Sequence, residues 1–194
     1  MATEPRKTIR AFLALELEAS SLRRVARVAD RLRMGSGAPS ATWVPSTRMH
    51  VTMKFMAEFP VESIEPLREA LRPLIEGKPA PSACSFRLSA FPRIEQARIV
   101  IAELLDTTGE LGRLAEEVDR LAQDCGILKE DRPFRPHVTL ARLKRPYDTR
   151  RWLRPELAGM SGECRAASLT LFQSALSAAE PIYTPLARFA FDVG

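Results

Sequence analysis

Apolar residues crowd residues 9–17 (Ile-Arg-Ala-Phe-Leu-Ala-Leu-Glu-Leu) in partial alternation, which predicts a core strand. Leu22, Val25, Ala26, Ala29 and Leu32 then fall on one face of a helix, capped by Ser20-Ser21 and running to about Met34. Gly35–Ser40 reads as a loop and Thr42–Pro45 as a short strand ended by proline. The next strand spans His50–Phe55 and is closed by Glu58-Phe59-Pro60. A helix starting at Pro60 or Ser63 and reaching about Glu76 follows, with Ile64, Leu67, Leu71, Leu74 and Ile75 on one side. Beyond the punctuated loop Gly77–Pro81, strands over 85–91 and 97–105 are joined by a hairpin-type connection at 92–96. Thr107–Glu110 caps a third helix to about Asp124, with Leu111, Leu114, Ala115, Val118, Leu121 and Ala122 as its stripe and Gly126 as its stop. Lys129–Pro136 is a charged approach to a further strand, Asp148–Leu157 reads as a short helix, and strands over 167–174 and 182–191 end the chain.

Each half therefore reads helix, strand, helix, two strands, the pattern of a diverged internal duplication. The expected fold is α+β and bilobal: residues 1–194 as a single domain of two intertwined lobes, with two antiparallel sheets facing a central groove and helices outside. Hydrophobic residues make up 45% of the chain, enough for a real core, and no apolar run approaches the ~20 residues of a membrane helix. The apolar run after Lys7 is short and leads into Glu16 and Glu18, so it reads as a strand and not a signal peptide; a cytoplasmic protein with no membrane partner is expected. Cys84, Cys125 and Cys164 are odd in number and widely spaced, which argues for free thiols. A net charge of +5 tilts only slightly towards polyanionic partners.

The sharpest signal is chemical. The chain has two histidines, and both stand in the tripeptide His-Val-Thr: His50-Val51-Thr52 and His137-Val138-Thr139. Alternation in a strand puts His50 and Thr52 on one face and Val51 and Met53 on the other, and likewise His137 and Thr139 against Val138 and Leu140. Two such strands facing each other would flank a space with two imidazoles, with two hydroxyl donors between them. One neutral histidine can accept a proton from a nucleophile while a protonated one supplies the leaving oxygen, and the threonines can donate to phosphate oxygens. Two histidines are too few for a zinc centre and neither motif has a carboxylate or thiol at i+2, so no metal and no cofactor are expected. Strict alternation also puts Lys54 on the face of His50, where it adds positive charge near a phosphate or, as is more usual, lies at a solvated edge.

These motifs resemble the paired H-x-T-x signatures of the 2H phosphoesterase superfamily, and their setting is similar to its LigT/ThpR branch, the RNA 2′,3′-cyclic phosphodiesterases. The matching pieces are Arg10–Leu15, Trp43-Val44-Pro45, His50–Phe55, Phe134–Arg142 and Tyr183-Thr184-Pro185-Leu186, in order along nearly the whole chain. The resemblance implies a pseudo-symmetric bilobal fold and metal-independent hydrolysis of a 2′,3′-cyclic phosphate, on an RNA end or a small nucleotide, to a 2′-phosphomonoester, with 2′,5′ ligation as the reverse chemistry. It implies His50 as the proton donor, His137 as the base, Thr52 and Thr139 as phosphate ligands, Arg142 near the phosphate and Phe55 as a base-stacking ring. Strict alternation would turn Phe55 and Arg142 away from the histidines, so each needs a bulge or twist to reach the groove. A monomer is expected. Other 2H substrates (an ADP-ribose cyclic phosphate, a 2′,5′-oligonucleotide) or a non-catalytic RNA-end binder are the alternatives.

Overall fold

The strand β1, Thr8–Leu17, is buried from Ala11 to Leu15 because it lies mid-sheet, with β3 (Val51–Pro60) on one edge and β8 (Cys164–Ala175) on the other. The computed structural model describes residues 6–35, 39–153, 162–177 and 181–192. Ala11, Leu13 and Leu15 face the helices, whereas Phe12 on the alternate face meets His50 at a ring-centroid distance of 5.0 Å. One side of the strand thus serves the core and the other the groove.

The remaining strands are β2 (Ala41–Trp43), β4 (Ser82–Ala83), β5 (Phe86–Phe91), β6 (Ala97–Leu104), β7 (His137–Tyr147) and β9 (Ile182–Ala190). The sheet order is β4-β8-β1-β3-β7-β6-β5, with β9 on β8 and β2 on β7, and all these strand pairs are antiparallel. Extensive ladders build two halves, β9-β8-β1-β3 and β2-β7-β6-β5. The halves join through the pairing of β3 with β7, at Val51 and Val138.

Among the described residues three α-helices pack against the sheet, each through a stripe at three- and four-residue spacing. Helix α1 (Ala19–Met34) buries Val25, Val28, Ala29 and Leu32; α2 (Ile64–Ile75) buries Leu67, Leu71 and Ile75; α3 (Glu110–Asp124) buries Leu111, Ala115, Val118 and Ala122. None of them is long and apolar enough to cross a membrane.

Several local expectations are corrected. Ser20-Ser21 does not cap α1: Glu18 holds that position, and the Ser21 hydroxyl accepts the Arg165 N–H at 3.0 Å, tying the helix to the start of β8. Thr107 and Thr108 do not cap α3 with their side chains; the Asp106 carboxylate accepts the Gly112 N–H at 2.8 Å, and Gly109 (φ 71°) makes the left-handed entry turn. β3 runs on through Glu58-Phe59-Pro60 because Phe59 is a fully buried core residue, and a 3-10 turn at Val61–Ser63 leads into α2. The helix expected over 148–157 is absent in its described part, where β7 extends to Tyr147 and the chain then turns; residues 154–157 lie outside the described residues. Residues 36–38 of the first loop lie outside them too.

Candidate active site

Val51 and Val138, both buried, form the rung that joins the halves. One step either way along this antiparallel register places His50 across from Thr139 and Thr52 across from His137, all four on the face opposite the valines. The two His-Val-Thr segments are thereby related by a local pseudo-twofold axis through one rung of the sheet. The duplicated motif and the duplicated geometry coincide.

Both strands then break alternation at the same point. On β3, Leu13 pairs with Lys54 and Ala14 with Thr52, so Met53 is an extra residue; on β7, Val100 pairs with Ala141 and Ile101 with Thr139, so Leu140 is extra. Each is a β-bulge, which turns the following side chains by one position. Met53 and Lys54 are consecutively buried, as are Leu140 and Ala141, and Phe55 and Arg142 re-emerge on the groove face. Phe55 and Arg142 occupy matched positions in the two halves, and both line the groove.

The bulge also relocates Lys54. It is not beside the histidines and not at a solvated edge: it is 4% exposed, on the core side. Its ammonium is paired with the Asp119 carboxylate on α3 and donates to the Leu128 carbonyl at 2.6 Å. The Asp119 carboxylate further accepts the Glu130 N–H at 3.2 Å and the Gln123 amide at 2.9 Å. A buried ammonium is tolerated because it is both paired and hydrogen-bonded.

Each imidazole is pinned in the same way. His50 Nδ1 lies 2.8 Å from the Arg48 carbonyl and His137 Nδ1 lies 2.7 Å from the Arg135 carbonyl. A carbonyl oxygen can only accept, so Nδ1 carries the hydrogen in both rings and Nε2 is left for chemistry. Burial is the main influence on both side chains and pulls each below the ordinary histidine value, while the backbone bonds act in the opposite direction.

The surroundings of the two rings differ. His50 stacks on Phe12 and meets the edge of Tyr183 at 5.8 Å; Phe12 and Tyr183 contact each other at 4.8 Å. His137 meets the Phe91 ring at 5.1 Å, and the Arg135 guanidinium covers that ring at 4.7 Å while donating to Glu103 at 2.8 Å. The cavity of ≈ 390 Å³ is lined by His50, Thr52, Thr139 and Arg142, with Arg10, Arg48, Trp43 and Tyr183 among its other walls. His137 is not part of this lining; it stands across from Thr52, which is. Arg10 sits 4.5 Å over the Phe55 ring, an arrangement that holds the ring at the groove edge, 39% exposed.

Sequence reasoning assigned no role to Arg10, Phe12, Arg48 or Tyr183. For Arg48 a signal existed: the offset that carries His50 onto His137 carries Arg48 onto Arg135, so the repeat is Arg-x-His-Val-Thr and not His-Val-Thr alone. Phe12 and Tyr183 lie in segments that carry the family resemblance, Arg10–Leu15 and Tyr183–Leu186, but they come from strands distant in sequence, and nothing local shows that they meet at His50. Among the described residues no group of three or more His, Cys, Asp or Glu is placed to hold a metal ion. Cys84, Cys125 and Cys164 are free thiols, and burial pushes Cys164 up to about 11.

The family profile described as "LigT like Phosphoesterase" matches residues 105–183. The RNA 2′,3′-cyclic phosphodiesterase of Aeropyrum pernix is 33% identical over 174 residues, covering 84% of this chain and 92% of the relative. That of Aquifex aeolicus is 29% identical, covering 94% and 97% respectively. Among solved structures, a protein of Thermus thermophilus superposes with a TM-score of 0.73 at 24% identity, covering 94% of this chain and 98% of its own. Escherichia coli LigT in apo form gives 0.69 at 21% identity, over 95% and 98%. These two share the fold, and the sequence relatives share the lineage over most of both chains: the protein belongs to the LigT-like 2H phosphoesterases, the family of the RNA 2′,3′-cyclic phosphodiesterases.

Proposed function

We propose that this chain hydrolyses the 2′,3′-cyclic phosphate of an RNA end or small nucleotide to a 2′-phosphomonoester, using His137 as general base and His50 as general acid. The two halves of the sheet act as intertwined lobes of one domain, each supplying one motif. The observation that carries this reading is the pair of imidazoles around the Val51–Val138 rung, each with Nδ1 committed to a backbone carbonyl and each across from a threonine. The names of the curated relatives supply the substrate class.

In the reaction, a water oxygen attacks phosphorus and gives its proton to His137 Nε2. The bond from phosphorus to the 3′ oxygen breaks, and His50 Nε2–H protonates that oxygen. Thr52 and Thr139 donate to the non-bridging oxygens, and Arg142 offsets the charge that grows there. Phe55, steadied by Arg10, offers a face to the adjoining base. The turnover ends with His50 neutral and His137 protonated, and proton exchange with solvent resets the pair. No step is assigned to a metal. With an RNA 5′-hydroxyl in place of water as the nucleophile, the same groups acting in the same direction would form a 2′,5′ linkage, and the reverse would cleave it back to the cyclic phosphate.

The test is incubation of purified protein, in EDTA, with a 2′,3′-cyclic-ended oligonucleotide and with the four nucleoside 2′,3′-cyclic monophosphates. A 2′-phosphate product is expected, with kcat reduced by roughly 10²–10⁴ in His50→Ala and in His137→Ala. Retained turnover in either variant would remove that histidine from the mechanism. Tight binding of the oligonucleotide without turnover would make the protein a binder of RNA ends.

A further inference from the structure

The concave face of β1, β8 and β9 carries a polar cluster that the reaction above does not use. Leu15 of β1 pairs with Val51 of β3, so the next residue along that register, Glu16, stands across from His50 on the groove side. Residues opposed in this way keep their Cβ atoms about 4.5–5.5 Å apart.

Glu16 is held in place. Its register partner on β8 is Ser168, and Thr170 stands two residues further on. The Ser168 and Thr170 hydroxyls donate to Glu16 Oε2 at 3.0 Å and 2.6 Å, and Arg188 Nε of β9 reaches the same oxygen at 2.9 Å. Ser168 and Thr170 are 2% and 1% exposed. Two buried hydroxyls directed at one oxygen fix the carboxylate in place. The countercharge on Arg188 sits on a side chain that is mostly exposed, where solvent and salt screen it. This corner therefore presents negative charge to His50.

His137 has the opposite surroundings. Glu103 faces it across β6 and β7, but that carboxylate is bound by two guanidiniums, Arg87 and Arg135, each at 2.8 Å. Arg142 lies near both rings, Arg10 and Arg48 line the groove beside His50, and the histidines repel each other when both are charged. Among the charges that act on each ring, Glu16 is foremost for His50 and Arg135 for His137, after the burial that lowers both.

We propose that Glu16 is a positioning residue that favours the protonated form of His50 and thereby makes His50, not His137, the proton donor of the pair. For the reaction itself this rests on the function proposed above; for the state of His50 it does not.

The experiment is a histidine NMR titration of the intact protein, wild type against Glu16→Gln, alongside kcat/KM against pH on the cyclic-ended oligonucleotide. Removing the carboxylate charge moves the His50 midpoint to lower pH and leaves that of His137 in place. kcat/KM then falls about 5-fold near pH 8, and the deficit closes towards acid pH, because fewer donors carry their proton at the alkaline end. Glu16→Asp restores most of the loss. Arg188→Met, at an exposed position, moves the His50 midpoint upward and serves if Glu16→Gln does not fold. An unmoved His50 midpoint in folded Glu16→Gln, or a rate loss equal at every pH, overturns the proposal. Absence of turnover in the wild type would sink the reaction and the donor role together, while a moved midpoint would still show Glu16 acting on His50.

Discussion

Burial pulls both imidazoles below their ordinary titration range, and the consequence for stability has a definite sign. The unfolded chain takes up protons at both positions as pH falls through about 6.5, whereas the folded chain does so only at lower pH. In that interval the unfolded state binds more protons, so the free energy of unfolding declines as pH falls. Urea unfolding at about pH 7.5 and about pH 5.5 should show the wild type less stable at the lower value. In a His50→Asn/His137→Asn double variant the difference should shrink; an unchanged difference would place its origin elsewhere. At this scale the sequence was most legible for the motif residues. His50, Thr52, His137 and Thr139 declared themselves by repetition, which needs no knowledge of the fold. Glu16 could not, because one acidic residue in an apolar strand is unremarkable until β3 and β8 are laid beside it.

Among the elements, helices were legible and bulges were not. The stripes of α2 and α3 follow directly from helical spacing, since Leu67, Leu71 and Ile75, or Leu111, Ala115, Val118 and Ala122, can share one face only in a helix. A bulge inserts one extra residue without changing composition. Met53-Lys54 reads as ordinary alternation and hides the shift, and so Lys54, Phe55 and Arg142 are all misplaced by one face when strict parity is assumed. Leu140-Ala141, two apolar neighbours at the matched position, is the fainter clue in the other copy. The burial of Lys54 depends on Asp119, which arrives from α3 far along the chain. That pair fastens the first motif strand to α3 and, through Leu128 and Glu130, to the segment that leads into the second motif. Lys54→Met leaves Asp119 without its cation and should cost about 3 kcal/mol of stability. A Lys54→Met/Asp119→Leu double variant should recover part of that loss in a denaturant double-mutant cycle. A double variant destabilised by the sum of the two single losses would mean that the residues act independently.

For the whole molecule, the order of helices and strands predicted the α+β class with antiparallel pairing, but the repeat as read is not the repeat as built. The helix over 148–157 is absent in its described part, and β5 and β6, which follow the first motif, build onto β7. The two motif strands meet side by side at Val51 and Val138 and do not face each other. That meeting point has a chemical corollary. A twofold pair of imidazoles has no preferred direction: a cyclic phosphate turned end for end about the axis would offer its 2′ oxygen where its 3′ oxygen had been. Regiochemistry must then be set by whatever breaks the symmetry, and the matched position after each bulge does so with a benzyl ring in one half and a guanidinium in the other. On the reaction proposed here, Phe55→Ala should therefore blur the product as well as slow it, giving a mixture of 2′- and 3′-phosphates resolvable by phosphorus NMR. His50→Ala or His137→Ala should slow turnover without changing the ratio. A pure 2′-phosphate from Phe55→Ala would assign the choice of oxygen to another wall of the groove. Two copies of one motif can make and break a bond; a position in the groove at which the copies disagree decides which bond it is.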